Sequence, residues 1–271
     1  MLTVLHGSDL HFGKPHRPRV ATGFLELARR VEPDVIVLAG DFTQRAKIRE
    51  FEQARAYLGQ FQGVPCVVTP GNHDVPLYRL HERLFAPLRN YRTFISEELD
   101  TSTRVDGAVF VALNSSDPHR GIVNGRIEDH QLQFLARIFQ ETSGANVRIV
   151  VTHHALVPPP DGGSESVLPS NGTILDRFRE LGVDLVLGGH LHRGFVTSSS
   201  VVRPNHRGHG NVAVVHSGTA ASSRGRTAEK GENSVNVLRI GAKDIEVIPH
   251  RFEADEGGFV KRESITIRRG E

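Results

Sequence analysis

The chain has 271 residues, of which 38% are hydrophobic and 24% charged, with 33 Lys+Arg against 31 Asp+Glu and a formal net charge of +2. That composition belongs to a globular chain and excludes a disordered or collagen-like one. A charge so close to zero disfavours a dedicated polyanion binder, which leaves nucleic acid open but not favoured as a partner.

Leu2 to His6 reads as a strand, and Val20 to Val31 as a helix with Phe24, Leu27, Ala28 and Val31 at helical spacing. Val35 to Ala39 is an apolar run of strand length. Segment 46–62 reads as a helix whose stripe of Ile48, Phe51, Leu58 and Phe61 is broken only at Arg55. Pro65 to Thr69 is the next strand, and 77–90 the next helix. This β-α-β-α-β-α order favours a largely parallel sheet buried on both faces. Val105 to Leu113 reads as a strand or hairpin, Glu128 to Gln140 as a helix, Val147 to Val151 as a strand, 173–181 as a helix and Leu185 to Leu187 as a short strand. From Phe195 onward, short alternating runs separated by Gly and Asn read as antiparallel strands. The longest loop is 158–172, a length that suits a lid or a binding loop.

No apolar run nears the roughly 18 residues of a membrane span, and Met1 to Asp9 lacks a secretory core. The single cysteine, Cys66, sits in an apolar run and reads as inert core. The expectation is a cytoplasmic protein in a reducing compartment, away from membranes.

The 15 histidines stand out against 3 Tyr and no Trp, because imidazole is the commonest metal ligand. Each polar cluster follows a strand: Asp9 and His11, then Gly40 and Asp41, then Gly71, Asn72, His73 and Asp74, then His153 and His154, then Gly189, His190 and His192. In open α/β sheets, ligands bind beyond the carboxyl ends of strands. A lone Asp after a strand is usually a turn or a helix cap, but five such segments in order converge on one edge. Asp9, Asp41 and Asn72 offer oxygens; His11, His153, His190 and His192 offer imidazoles. That is too many donors for one four-coordinate ion and suits two divalent transition-metal ions if a carboxylate bridges. The mixed set fits Mn, Fe, Co, Ni or Zn and is too rich in nitrogen for Mg or Ca. The D-x-H and H-x-H spacings suit extended backbone, where residues two apart point the same way. On such backbone His154 diverges from His153, and it reads as a support or substrate contact.

This ordered set resembles the calcineurin-like metallophosphoesterase superfamily over residues 9–192. The looser segments SDLHFG, GRIEDHQLQFL, THHA, SGTAASSRGR and NSVNVLRI are similar to bacterial class III cyclic-nucleotide phosphodiesterases. The resemblance implies an α/β fold, a four-layer αββα sandwich in a single domain over 1–271, with the mostly antiparallel tail 195–271 contributing to the second sheet. It implies that Asp9, His11, Asp41 and His192 hold one metal, and that Asp41 bridges to a second held by Asn72, His153 and His190. It implies hydrolysis of small phosphodiesters, 3′,5′-cyclic nucleotides among them, by in-line attack of a metal-bridging hydroxide. His73 would contact phosphate and protonate the leaving group, with Asp74 orienting its ring. Phosphomonoester or protein-phosphate hydrolysis and DNA cleavage are alternatives on the same site. A non-enzymatic scaffold is disfavoured, since no ligand is missing. The resemblance also leaves room for a homodimer.

The other histidines lack ligand spacing, with His16, His119, His206 and His209 as weak loop candidates. Arg17, Arg19, Arg45 and Arg120 are more simply solvated than phosphate-binding. Arg224 and Arg226 read as surface charge.

Overall fold

The computed structural model describes residues 1–119, 123–161, 167–202, 204 and 210–269. Its elements run β1 (Leu2–Gly7), α1 (Pro18–Val31), β2 (Val35–Leu38), α2 (Ile48–Leu58), β3 (Cys66–Val68), α3 (Leu80–Phe85), α4 (Arg89–Phe94), β4 (Thr101–Val105) and β5 (Ala108–Ala112). They continue with α5 (Asp129–Glu141), β6 (Val147–Val151), α6 (Asn171–Glu180), β7 (Leu185–Gly188), β8 (Phe195–Ser198), β9 (Ala213–His216), β10 (Ser234–Ile240), β11 (Asp244–Glu253), β12 (Gly258–Lys261) and β13 (Ile265–Arg268). No helix among the described residues is long and apolar enough to cross a membrane.

The continuous apolar strands are explained by two buried faces. In β2, Val35 and Val37 join one cluster with Phe110, Ile149, Leu187 and Val215 from the other sheet. Ile36 and Leu38 face the opposite way, toward Phe24, Leu27 and Phe51 of α1 and α2. In the second sheet, Val109, Val111, Val150 and Val186 pack with Leu135 and Phe139 of α5 and Ile174 and Phe178 of α6. Three apolar layers between four layers of elements make the αββα sandwich. Each fully buried Phe of the outer layers, such as Phe24 and Phe178, contributes about 1.5–3 kcal/mol by leaving water.

The first sheet has the order β12-β11-β10-β1-β2-β3, with β13 also paired to β11; the second runs β4-β5-β6-β7-β9-β8. The tail therefore divides between the sheets instead of feeding mainly the second. β8 and β9 join the second sheet, while β10 pairs antiparallel with β1 and brings β11 to β13 with it. One strand of the tail, β9, runs parallel to β7. Pairing partners lie far apart in the chain, and local alternation carries no information about them.

The expected helix at 77–90 is two short ones. Ala86, before Pro87, is at φ −153° and ψ 57°, because a residue preceding proline is kept out of the helical region. In α2 the buried stripe is Glu50, Phe51, Ala54 and Tyr57, so Ile48 faces solvent and Arg55 interrupts nothing. Glu50 is buried because its carboxylate accepts from the Arg45 and Lys47 N–H groups at the helix start.

Candidate metal centre

β1, β2 and β3 run parallel in one sheet, and β6 and β7 in the other. Their carboxyl ends therefore meet along one rim of the sandwich, and the motif segments leave from there. The backbone at the rim is not extended. Asp9, His11, Asp41, His190 and His192 have φ of 60°, 47°, 55°, 70° and 56°, in the left-handed region that costs a non-glycine residue roughly 1–2 kcal/mol. This corrects the reading of the D-x-H and H-x-H spacings: a chain turning sharply, not a straight one, aims both side chains inward. A ladder continuing past the strands holds the strain. Asp9 N–H donates to the Gly40 carbonyl (3.0 Å), His11 N–H to that of Asp41 (2.9 Å) and Phe12 N–H to that of Phe42 (2.8 Å). Such clustering of strained residues marks functional sites.

Two clusters of candidate ligands form. In one, Asp9, His11, Asp41 and His192 bring ligand atoms within 4.8 Å of one another; in the other, His153, His154 and His190 do so. His192 Nε2 is 3.1 Å from Asp9 Oδ1, and His11 Nε2 is 3.4 Å from that oxygen and 3.5 Å from Asp41 Oδ2. The other Asp41 oxygen, Oδ1, lies 3.5 Å from His153 Nε2. Asn72 Oδ1 is 3.2 Å from His153 Nε2 and 3.0 Å from His190 Nδ1, which ties it to the second cluster. His154 joins that cluster: its ring is 4.6 Å from that of His190, and its Nδ1 is 2.9 Å from Ser115 Oγ.

These residues fit a pair of cations. Asp9 Oδ1 and Asp41 Oδ2 are buried and accept no hydrogen bond, though histidine nitrogens surround them. His11 Nε2 and His192 Nε2 are 3.2 Å apart. Buried oxygens and paired imidazole lone pairs without donors are costly unless an electrophile sits between them. The outer nitrogens set the tautomers. His192 Nδ1 donates to the Arg224 carbonyl at 2.9 Å and His153 Nδ1 to that of Ala39 at 2.7 Å. A carbonyl only accepts, so each Nε2 is the atom offered to the centre.

Burial opposes charge on Asp9 and Asp41, but the histidines around them, led by His192 and His153 respectively, hold both carboxyls below the ordinary range. Burial drives His11 down to about 4 and His190 well below the usual imidazole value. His153 is the exception; burial opposes its charge, yet the Asp41 carboxylate lifts it to about 9. Anionic carboxylates beside neutral imidazoles are the state in which ligands take up a metal.

His73 stands beside the centre, its ring 4.8 Å from that of His11. Its backbone N–H donates to Asp41 Oδ1 at 2.7 Å, and its Nδ1 donates to the Gln44 carbonyl at 2.9 Å. Asp74 does not orient that ring. Its carboxylate accepts from the N–H groups of Gly71, Phe42 and Thr43 and from Thr43 Oγ1. It staples the 71–74 turn to the end of β2, and burial, then the Asp41 charge, push it up to about 7. Gly71 is required there, since a Cβ would overlap the Asp41 carboxylate and amide.

The weaker candidates separate. His16 stacks on Phe12 at 4.1 Å, Arg17 donates to the Gly231 carbonyl and Asn233 Oδ1, and Arg19 to the Ala254 carbonyl. All three are structural ties. Arg45 lies over the Tyr78 ring, and His119 is exposed. Arg120, His206 and His209, with parts of the 158–172 and 195–210 loops, fall outside the described residues. The sequence pointed neither to Ser8, which donates to Asp9 Oδ2 at 2.6 Å, nor to Gln44. Both are ordinary polar residues until the fold places them.

Comparison with known proteins agrees with this geometry. The family model for calcineurin-like phosphoesterase matches residues 2–194. The chain is 25% identical over 228 residues to a component of the nuclease SbcCD from Staphylococcus epidermidis, covering 74% of this chain and 60% of that protein. It is 27% identical over 168 residues to the 3′,5′-cyclic adenosine monophosphate phosphodiesterase CpdA of Escherichia coli, covering 60% of this chain and 55% of that protein. The matches thus span little more than half the length of these relatives. Among solved structures, a purple acid phosphatase from yellow lupin (Lupinus luteus) superposes with a TM-score of 0.71 at 14% identity, covering 98% of this chain and 53% of that one. A dimetal phosphatase from Danio rerio superposes with a TM-score of 0.66 at 12% identity, covering 98% of each. At such identities the superpositions show a shared fold. With its family model spanning all five motif segments, the chain belongs to the calcineurin-like phosphoesterase family.

Proposed function

We propose that this chain is a metal-dependent phosphoric ester hydrolase, with two divalent ions, that cleaves small phosphodiesters, 3′,5′-cyclic nucleotides among them. The carrying observation is Asp41, whose Oδ2 is turned to one cluster and Oδ1 to the other. Asp9, His11 and His192 would complete the first ion's ligands, and Asn72, His153 and His190 the second's. Ions bound there would lower the pKa of water to supply a nucleophile near neutral pH and offset charge on the phosphoryl group. Manganese, iron, cobalt, nickel and zinc all suit the donors.

The chain's own residues supply the rest. With Nδ1 committed to the Gln44 carbonyl, His73 has Nε2 left for the substrate, and in its imidazolium form Nε2 would donate to a phosphoryl oxygen or give its proton to a leaving alkoxide. Asp74 keeps His73 in place through the turn. A cavity of about 780 Å³ is lined by Asp117, Gly125, Arg126 and Glu128, and the Gly125 backbone packs so close to the His154 ring that a Cβ there would overlap it. The activity for which the Escherichia coli relative is named supports the cyclic-nucleotide part of this reading, and the lone cysteine fits a cytoplasmic setting.

A nuclease is the second reading, favoured by the longer match to the SbcCD component. The test is hydrolysis of bis(p-nitrophenyl) phosphate by Mn²⁺-reconstituted protein against a chelated control. Metal-dependent turnover that Asp41→Ala abolishes supports the diesterase; unchanged turnover in Asp41→Ala overturns it. Relative rates on monoesters, cyclic nucleotides and single-stranded DNA then rank the substrates. Cleavage of DNA with a steep salt dependence would favour the nuclease.

A further inference from the structure

Arg224 reads as surface charge in the sequence, yet the fold brings it to the metal centre. Its carbonyl accepts from His192 Nδ1 at 2.9 Å, so its backbone is fastened to a ligand. Its side chain reaches across to the other wall, where Nη1 donates to Gln44 Oε1 at 3.1 Å. Gln44 is buried, and its own carbonyl accepts from His73 Nδ1. One residue therefore tethers both the Arg224 guanidinium and the His73 ring, which lie far apart in the chain.

The guanidinium is half-buried and forms no ion pair among the described residues. Its Nε and Nη2 donate no hydrogen bond there. The charges that act on it most are the ligand carboxylates Asp41 and Asp9 and the cations Arg226 and Arg45. The two carboxylates do not neutralise two divalent ions, and Arg224 adds to the positive excess. Holding an unpaired guanidinium against such a centre is unfavourable until an anion lies between them. The planar fork of Arg suits two oxygens of a phosphate, where a lysine offers a point charge.

We propose that Arg224 is a phosphate-binding residue, whose Nε and Nη2 N–H groups donate to non-bridging oxygens of a phosphoryl group held at the metal centre, with Gln44 positioning the guanidinium. This rests on the phosphoesterase reading. It gives the site a preference for phosphoryl groups that expose two such oxygens on the Arg224 side.

The test is calorimetric titration of inorganic phosphate into Mn²⁺-loaded protein for the native chain, Arg224→Lys, Arg224→Met and Gln44→Leu. Metal content per chain and thermal midpoint are measured on the same samples. Arg224→Met is expected to keep its metal and weaken phosphate binding about tenfold or more, the loss of a charge-assisted contact. Arg224→Lys and Gln44→Leu should fall between it and the native chain. Phosphate affinity in Arg224→Met within about twofold of native overturns the assignment; the phosphoesterase reading survives as long as the native chain binds phosphate. Loss of metal in Arg224→Met overturns it differently, by making the side chain a prop for His192. A native, metal-loaded chain that takes up no phosphate removes both.

Discussion

Gly189→Ala tests whether the two sheets are held together at the metal centre by contact as close as the geometry implies. A Cβ at Gly189 would overlap Ser8 Oγ, lie 2.5 Å from Ser8 Cβ and 2.8 Å from Asp9 Oδ2. The single Ser8 hydroxyl proton is donated to Asp9 Oδ2 at 2.6 Å, with the Ala39 carbonyl 2.8 Å from the same oxygen, so moving it breaks one charge-assisted bond. That bond is worth about 2 kcal/mol, and overpacking adds roughly 1–3 kcal/mol. The expected cost of about 3–5 kcal/mol is a large part of the stability of an ordinary domain. Urea unfolding of metal-free protein reads that loss, and metal titration reads the displacement of Asp9. Ser8→Gly with Gly189→Ala removes the serine side chain and should recover part of the stability. A Gly189→Ala chain within about 1 kcal/mol of native, with native metal affinity, would refute the close-contact argument.

His73→Asn should retain native metal content while turnover of bis(p-nitrophenyl) phosphate falls roughly 10²–10⁴-fold, the range for a lost general acid; loss of metal instead would assign His73 to the ligand set. Beneath the centre, burial holds His6 down at about 3 and His216 at about 4, against about 6.5 in an unfolded chain. The unfolded state binds the extra protons, so this stability is complete above about pH 6.5 and is lost as pH falls toward the folded values, by up to about 1.4 kcal/mol per unit for each histidine. Between pH 6.5 and 5, urea midpoints of metal-free His216→Gln should fall less steeply than native, and parallel curves would sink the argument.

The candidate ligands were legible because each follows an apolar run of strand length and a local change to Gly, Asn, Asp and His. That is a short-range pattern, and α/β topology turns it into convergence. The run Val35 to Leu38 likewise announced a strand buried on both faces. What the pattern could not convey is conformation imposed from a distance. Asp9, His11, Asp41, His190 and His192 have no local preference for left-handed backbone, which the bonding between loop segments at the rim enforces. Asp74 sits beside His73 in sequence, yet its partners are the amides of Gly71, Phe42 and Thr43.

By itself, the sequence determined the order of most elements, the candidate donors that the fold gathers at one rim, and the resemblance that implied layering. Tertiary structure alone decided which sheet takes β8 to β13, which oxygen of Asp41 meets which cluster, and that Arg224 reaches Gln44 across 180 positions of chain. The physical reason is range. Hydrophobic periodicity and turn chemistry act over a few residues and are written locally. Strand partners and side-chain contacts between distant segments depend on the packing of the whole sandwich, where the same local pattern fits either sheet.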